Sequence, residues 1–106
     1  MNTIDEEVLH LTEAIKASDE YRAYVDRREL LKSDPALWER TLQFRMRAFA
    51  LQGYKEANPG MADEIKEEFA DILRVPAVSA FLDAERTFCR MFQKMNLTIV
   101  DAISFE

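Results

Sequence analysis

The chain has 106 residues, of which 48% are apolar and 10% aromatic, enough to bury one hydrophobic core, so we expect one domain over residues 1–106. Two Gly and three Pro leave little material for tight turns, which favours long helices with short connections. The formal charge of -6 disfavours nucleic acid as the default partner, because generic affinity for phosphate comes from Lys and Arg.

The N-terminal third is predicted to form two helical stretches that meet at Ser18. Apolar residues spaced four, three and four apart place one stripe on the first helix: Ile4, Val8, Leu11 and Ile15. Ser18 is typical of an N-cap, and Asp19 and Glu20 follow it in the first turn of a second stretch. The pattern leaves open whether the chain breaks or only bends at Ser18.

A third helix is predicted from Pro35 to about Lys55. Asp34 can cap free backbone N–H groups, and Pro35 fits the first helical position, where its missing N–H is not needed. We expect the apolar side chains of this helix to face the core: Leu37, Trp38, Leu42, Phe44, Ala48, Phe49 and Leu51.

The C-terminal half is predicted to hold an acidic helix and a long last helix. Asn58-Pro59-Gly60 marks a loop, after which the acidic helix runs from about Met61 to Arg74. Val75-Pro76 restarts the chain into the last helix, which ends near Ile103. One broad apolar face of the last helix gathers Val78, Phe81, Leu82, Phe88, Cys89, Phe92, Met95, Ile99 and Ile103.

These elements predict an all-α fold, an antiparallel helical hairpin or bundle of about four to five helices with a long C-terminal helix. Oligomerisation is expected, because the aromatic and Met content is generous for so few helices and is more easily covered when chains pack together. The large aromatic side chains in this supply are Trp38, Phe44, Phe49, Phe81, Phe88, Phe92 and Phe105.

Polar residues interrupt both of the longest apolar stripes. Arg45 and Gln52 fall within the stripe of the Pro35 helix, and Glu85 and Asn96 fall within that of the last helix. Burial of a lone charge is costly, so we hypothesise that Arg45 and Glu85 pair, within one chain or across a symmetric interface. Alternatively, either residue lies at a stripe edge and extends its charged head to water. The candidates for interaction or helix register are Arg45, Glu85, Trp38, Phe49, Phe81, Phe88 and Phe92.

The sequence contains no recognisable catalytic, metal or cofactor motif. His10 and Cys89 are the single His and Cys, and no H-E-x-x-H or C-x-x-C spacing exists. We expect Cys89 to be a buried structural residue on an apolar face. Gly53 and Gly60 alone cannot form a nucleotide-binding loop. We therefore predict no enzyme activity, no catalytic residue, no metal and no cofactor.

Two charged groups need separate interpretation. Four carboxylates lie at helical spacing and could resemble half of a di-iron site: Glu64, Glu67, Glu68 and Asp71. The Glu-x-x-His motif that such a site requires is absent, so a solvated outer face is the better interpretation. A basic row of Arg86, Arg90 and Lys94 is predicted on the outer flank of the last helix. An alternative function uses this row in an RNA-associated accessory module, and a third uses Glu64, Glu68 or Glu85 with a metal in an enzyme.

The order of features along the chain resembles the YlbF/YmcA family of small helical bacterial proteins. The resemblance rests on Ser18-x-x-Tyr21-x-x-Tyr24, on Asp34-Pro35, and above all on the run Pro76-x-Val78-x-x-Phe81-Leu82-x-Ala84-Glu85. Val75 replaces the usual Asn before that Pro, and the mid-chain helix is less Gln-rich than the family pattern.

The resemblance implies an all-α, oligomeric, non-catalytic regulatory protein. Family members act in complexes that influence competence, sporulation, biofilm formation and RNA processing through a membrane-associated ribonuclease. Some of those complexes hold iron-sulfur clusters through Cys residues, and Cys89 is the one candidate here, but its place on an apolar face gives no reason to assign a cluster to it.

The expected compartment is the cytoplasm. A single Cys cannot form an intramolecular disulfide, and the N-terminus does not resemble a secretory signal. No apolar run approaches the roughly 18 to 20 residues needed to span a bilayer. The sequence therefore predicts a soluble cytoplasmic regulator or adaptor whose partners are copies of itself, as a dimer or tetramer, or related family proteins.

Overall fold

The computed structural model describes residues 2–53 and 59–103, and these residues form six helices and no strand. The prediction of an all-α fold with a long C-terminal helix is confirmed. In chain order the helices are α1 Thr3–Lys16, α2 Asp19–Lys32, α3 Pro35–Gln52, α4 Pro59–Glu68, α5 Ala70–Leu73 and α6 Pro76–Ile103. In this part of the chain, no helix is long and apolar enough to cross a membrane.

The predicted capping residues begin α2 and α3. The Ser18 hydroxyl oxygen accepts a hydrogen bond from the Tyr21 backbone N–H at 3.2 Å, so the chain breaks at Ser18 instead of bending. The Asp34 carboxylate accepts one from the Leu37 N–H at 3.2 Å, and Pro follows at the first helical position. Each cap satisfies a backbone donor that has no partner within the helix.

Two helix boundaries in the middle of the chain differ from the prediction. Pro59 and Gly60 begin α4 instead of lying in a loop, because Pro is well suited to the first helical turn. The acidic stretch predicted as one helix is interrupted at Phe69, whose backbone is not helical and whose side chain is only 2% exposed. The described part of α3 ends at Gln52, and Lys55 and Phe105 lie outside the described residues.

Helices α2 and α6 form the antiparallel hairpin that organises the core. Tyr21 contacts Phe88 and Tyr24 contacts Phe81, with ring centroids 5.5 and 5.7 Å apart, so the two helices run in opposite directions. From α3, Trp38 packs edge-on against Phe81 at 5.4 Å. Helices α4 and α5 close the other side of α3. The buried apolar core consists of Leu31, Ile65, Phe69, Ile72, Val78 and Phe81.

The chain is too extended to cover its own apolar surface. Its Cα radius of gyration is 17.2 Å, whereas a compact domain of this length has about 13 Å. The accessible surface is 8204 Å², whereas about 6,100 Å² is expected for a compact protein of this mass. The excess arises because the molecule is thin, with principal extents of 48 × 37 × 20 Å, and because parts of α1 and α6 extend beyond the core.

Candidate interaction surfaces

Arg45 and Glu85 form a two-pronged ion pair between α3 and α6. Arg45 Nε donates to Glu85 Oε1 at 3.0 Å, and Arg45 Nη2 lies 2.5 Å from Glu85 Oε2. The Arg45 guanidinium also lies 5.6 Å from the centre of the Phe81 ring. The hypothesis that the two residues pair is confirmed, and the pair lies within one chain. Both side chains remain partly exposed, 35% for Arg45 and 21% for Glu85, so neither charge is fully desolvated.

Three of the aromatic interaction candidates lie within the chain's own aromatic cluster. Phe81 has no exposed surface and contacts both Tyr24 and Trp38. Phe88 is half-buried between Tyr21 and Tyr24, with ring centroids at 5.5 and 5.6 Å. Trp38 is also half-buried. These contacts fix how α2, α3 and α6 pack on one another, so the rings serve the fold before any partner.

The apolar stripe of α1 is uncovered along most of its length. We use the name α1 stripe for Ile4, Val8, Leu11 and Ile15. Ile4 is 73% exposed, Val8 53% and Leu11 36%, and only Ile15, at the end that joins α2, is half-buried. Four apolar side chains on one side of a helix whose other side is mainly polar are typical of a face that another helix covers.

The second half of α6 carries a second uncovered stripe. We use the name α6 stripe for Phe92, Met95, Ile99 and Ile103, of which Met95 is half-buried. The sequence predicted that this face would be buried, and that prediction is wrong for Phe92, Ile99 and Ile103, which are 42%, 43% and 58% exposed. The reason is that α2 begins beside Phe88, so α6 continues past the end of its partner helix. Asn96, also expected within a buried face, is exposed for the same reason.

Phe49 and Gln52 are also exposed, contrary to the prediction for α3. Phe49 is 78% exposed, whereas Thr41 on the same helix has no exposed surface. The Thr41 hydroxyl donates to the Leu37 carbonyl oxygen at 2.8 Å, so this polar side chain is satisfied within its own helix and can face the core. Sequence reasoning missed Thr41 because its hydroxyl was counted as polar.

Cys89 is exposed, so the prediction of a buried structural thiol is wrong. It follows Phe88, which contacts α2, and lies about 100° further around α6, outside that contact. Among the described residues, no group of three or more His, Cys, Asp and Glu side chains is arranged to hold a metal ion. His10 is exposed and near Glu7, as its position opposite the α1 stripe predicted.

The basic row is exposed on α6, as predicted. Arg86, Arg90 and Lys94 are all exposed, and Arg86 Nη1 lies 3.3 Å from Asp83 Oδ1. Advancing about 100° per residue places this row on the side of α6 away from the α6 stripe. The same helix therefore presents charge on one side and apolar surface on the other.

The acidic side chains of α4 and α5 are partly tied to α3. Arg40 Nη2 donates to the Glu68 carbonyl oxygen at 2.9 Å and to Asp71 Oδ1 at 3.1 Å, and its guanidinium lies 4.2 Å from the centre of the Phe69 ring. Arg47 Nη1 lies 2.7 Å from Glu68 Oε2. The acidic surface is thus solvent-facing, as predicted, and anchored by two Arg of α3.

The comparisons with known proteins agree with the regulatory interpretation. The family model described as "Control of competence regulator ComK, YlbF/YmcA" matches residues 4–104, which reach all six helices and include both stripes. The UPF0342 protein DSY2926 of Desulfitobacterium hafniense (strain Y51) is 29% identical over 105 residues, covering 95% of this chain and 85% of the relative. No solved structure matches. This chain belongs to the YlbF/YmcA family, a regulatory family linked to control of the competence regulator ComK.

Proposed function

We propose that this chain is a non-catalytic regulatory adaptor of the cytoplasm that acts through helix-mediated contacts with other protein chains. Its partners are further copies of itself and related family proteins. The observation that carries the proposal is the pair of uncovered stripes, on α1 and on the second half of α6. Exposed apolar faces of this size are unfavourable in water and mark surfaces that another protein covers.

The amount of uncovered surface supports this role. The accessible area exceeds that of a compact protein of the same mass by about 2,000 Å². A standard interface removes about 800 Å² from each partner, so the excess is large enough for at least one stable contact. The family's link to the competence regulator ComK is compatible with an adaptor that works by binding other proteins.

The charge distribution favours protein over RNA as the partner. The chain carries a formal charge of -6, and repulsion of phosphate opposes RNA binding outside the basic row. The row itself is on the side of α6 opposite the apolar stripe, and Arg86 already contacts Asp83. A partner that covers the apolar stripes need not touch this row.

Sedimentation velocity at increasing micromolar concentrations tests the proposal on the chain alone and mixed with other family proteins of its native host. We expect a species heavier than the monomer. Ile99→Ser is expected to weaken this association by about tenfold, because a buried Ile contributes about 1.5–3 kcal/mol.

Leu97→Ser is the matched control. Leu97 is 63% exposed and lies on the same helix, but it faces away from the α6 stripe. We expect this variant to associate like the wild type. A wild-type chain that stays monomeric in every mixture contradicts the proposed function.

A further inference from the structure

We infer that two copies of this chain associate by reciprocal packing, in which the α1 stripe of each copy covers the α6 stripe of the other. This inference rests on the proposed function and specifies the contact that would perform it. The occupant of each stripe is a helix of a second copy, and the argument uses the placement, length, spacing and charge of the two helices.

Both stripes lie at the same end of the α2–α6 hairpin. Tyr21, near the start of α2, packs on Phe88, so α6 residues 89–103 continue beyond α2 at the end where α1 joins it. The 14 residues of α1 span about 21 Å, and the 15 residues of this α6 segment span about 22 Å. The two uncovered helices therefore match in length.

The apolar spacing of the two helices is similar. The α1 stripe advances by four, three and four residues, and the α6 stripe advances by three, four and four. Alternating steps of three and four keep apolar side chains on one seam of a helix, so two such helices can interdigitate along their length. The match favours side-by-side packing over a crossing at one point.

The net charges of the two helices differ in sign, which favours pairing α1 with α6. Helix α1 carries four carboxylates against one Lys, whereas α6 residues 89–103 carry Arg90 and Lys94 against Asp101. Two α1 helices would bring like negative charges together, and two α6 segments would bring like positive charges together. The basic row lies on the side of α6 away from the α6 stripe, so it does not touch α1 in this packing, but pairing α1 with α6 avoids the repulsion between two acidic α1 helices.

Local hydrogen bonds close the end of α1 where it meets α2. The Ser18 hydroxyl donates to the Ile15 carbonyl oxygen at 2.6 Å, and the Ala17 N–H donates to the Glu13 carbonyl oxygen at 3.1 Å. With this turn, three side chains of each stripe are exposed, and Ile15 and Met95 are half-buried. A second copy can cover both faces at once, because in a two-fold dimer a contact of the α1 stripe of one copy with the α6 stripe of the other is repeated in reverse.

Cross-linking between two singly substituted chains tests this arrangement. Cys89 is first replaced by Ser, because its thiol is exposed and would react. One chain then carries Val8→Cys and the other Ile99→Cys, and the mixture is treated with a short bismaleimide and measured by intact mass. We expect a product that joins the two different chains in several-fold excess over products that join two identical chains.

The matched control replaces Val8→Cys with Leu9→Cys. Leu9 is 50% exposed, close to the 53% of Val8, but lies off the α1 stripe, so we expect several-fold less mixed product. Circular dichroism of each variant verifies that the helices are intact, and sedimentation of the same samples reports whether they associate.

The outcomes separate the arrangement from the proposed function. A dominant product between two Ile99→Cys chains, in samples that still associate, overturns the α1–α6 contact and leaves the adaptor role standing. Cross-linking within a monomeric chain that carries both substitutions overturns it as well, since α1 then covers its own α6. Monomeric samples without mixed product contradict both this arrangement and self-association.

Discussion

Glu85 on α6 receives both prongs of the Arg45 guanidinium from α3, and the same guanidinium lies over the edge of the buried aromatic cluster at Phe81. Two parallel hydrogen bonds restrict orientation as well as distance, so the pair permits one relative placement of α3 and α6. The two charged residues that interrupt apolar stripes in the sequence thus hold α3 and α6 together within one chain.

A double-mutant cycle measures this pair. We expect Arg45→Met to lower the free energy of unfolding by about 2 kcal/mol, because it leaves a mostly buried carboxylate without its partner. Glu85→Leu is expected to lower it less, since the more exposed Arg45 can turn to water. Urea unfolding of both single variants and the double variant is expected to show a coupling of about 1 kcal/mol, and additive effects would refute the pairing.

The aromatic cluster gives a second prediction, with two Phe residues that differ mainly in burial. Phe81 is fully buried, so we expect Phe81→Ala to lower the free energy of unfolding by about 3–5 kcal/mol. Phe49 is 78% exposed, and Phe49→Ala is expected to change the free energy of unfolding by less than about 0.5 kcal/mol. Urea unfolding at one fixed protein concentration compares the two variants. Equal losses in the free energy of unfolding would mean that the Phe49 side chain is buried, contrary to the structure.

The two Arg residues that tie α3 to the acidic helices are predicted to contribute unequally to the free energy of unfolding. Arg40 donates to a backbone carbonyl and a carboxylate and stacks on Phe69, so Arg40→Met is expected to cost about 1–2 kcal/mol. Arg47 forms an exposed pair with Glu68, and Arg47→Met is expected to cost less than about 0.5 kcal/mol. Thermal unfolding of both variants in low and high salt verifies the order, and a larger loss for Arg47→Met would contradict it.

Hydrogen exchange is expected to report the coverage of both stripes. In dilute protein, amides of α1 and of residues 92–103 are predicted to exchange faster than those of α2, because few tertiary contacts hold them. At high concentration we expect protection to rise in both segments and to stay constant in α4. Mass-spectrometric exchange at two concentrations makes the comparison. A rise in α4 instead would place the contact elsewhere.

The RNA-associated alternative makes an opposite prediction about the basic row. With a charge of -6 on the chain, we expect no measurable retention of RNA at physiological ionic strength. Filter binding over a range of salt concentrations measures this directly. Binding that falls steeply with salt, and that is lost when Arg86→Glu and Arg90→Glu are combined, would favour the RNA role over the adaptor role.

Most helix starts were predictable because they depend on local chemistry. Ser18 and Asp34 cap their helices through hydrogen bonds that span three residues, and Pro35 is suited to a first turn in any context. The break at Phe69 was not predictable from the same rules, because it follows from packing of that ring into the core. The pairing of Arg45 with Glu85 was inferred from the cost of burying either charge alone.

The sequence by itself determined which side chains share a helix face, because the period of the α-helix is local and the same in every fold. Only the tertiary structure decided which stretches of those faces are covered. Coverage depends on where the neighbouring helix begins, and α2 begins beside Phe88, so Phe81 is buried while Ile99 on the same face is exposed. A helix of 28 residues that packs on one of 14 extends past it, so part of its apolar face is left uncovered.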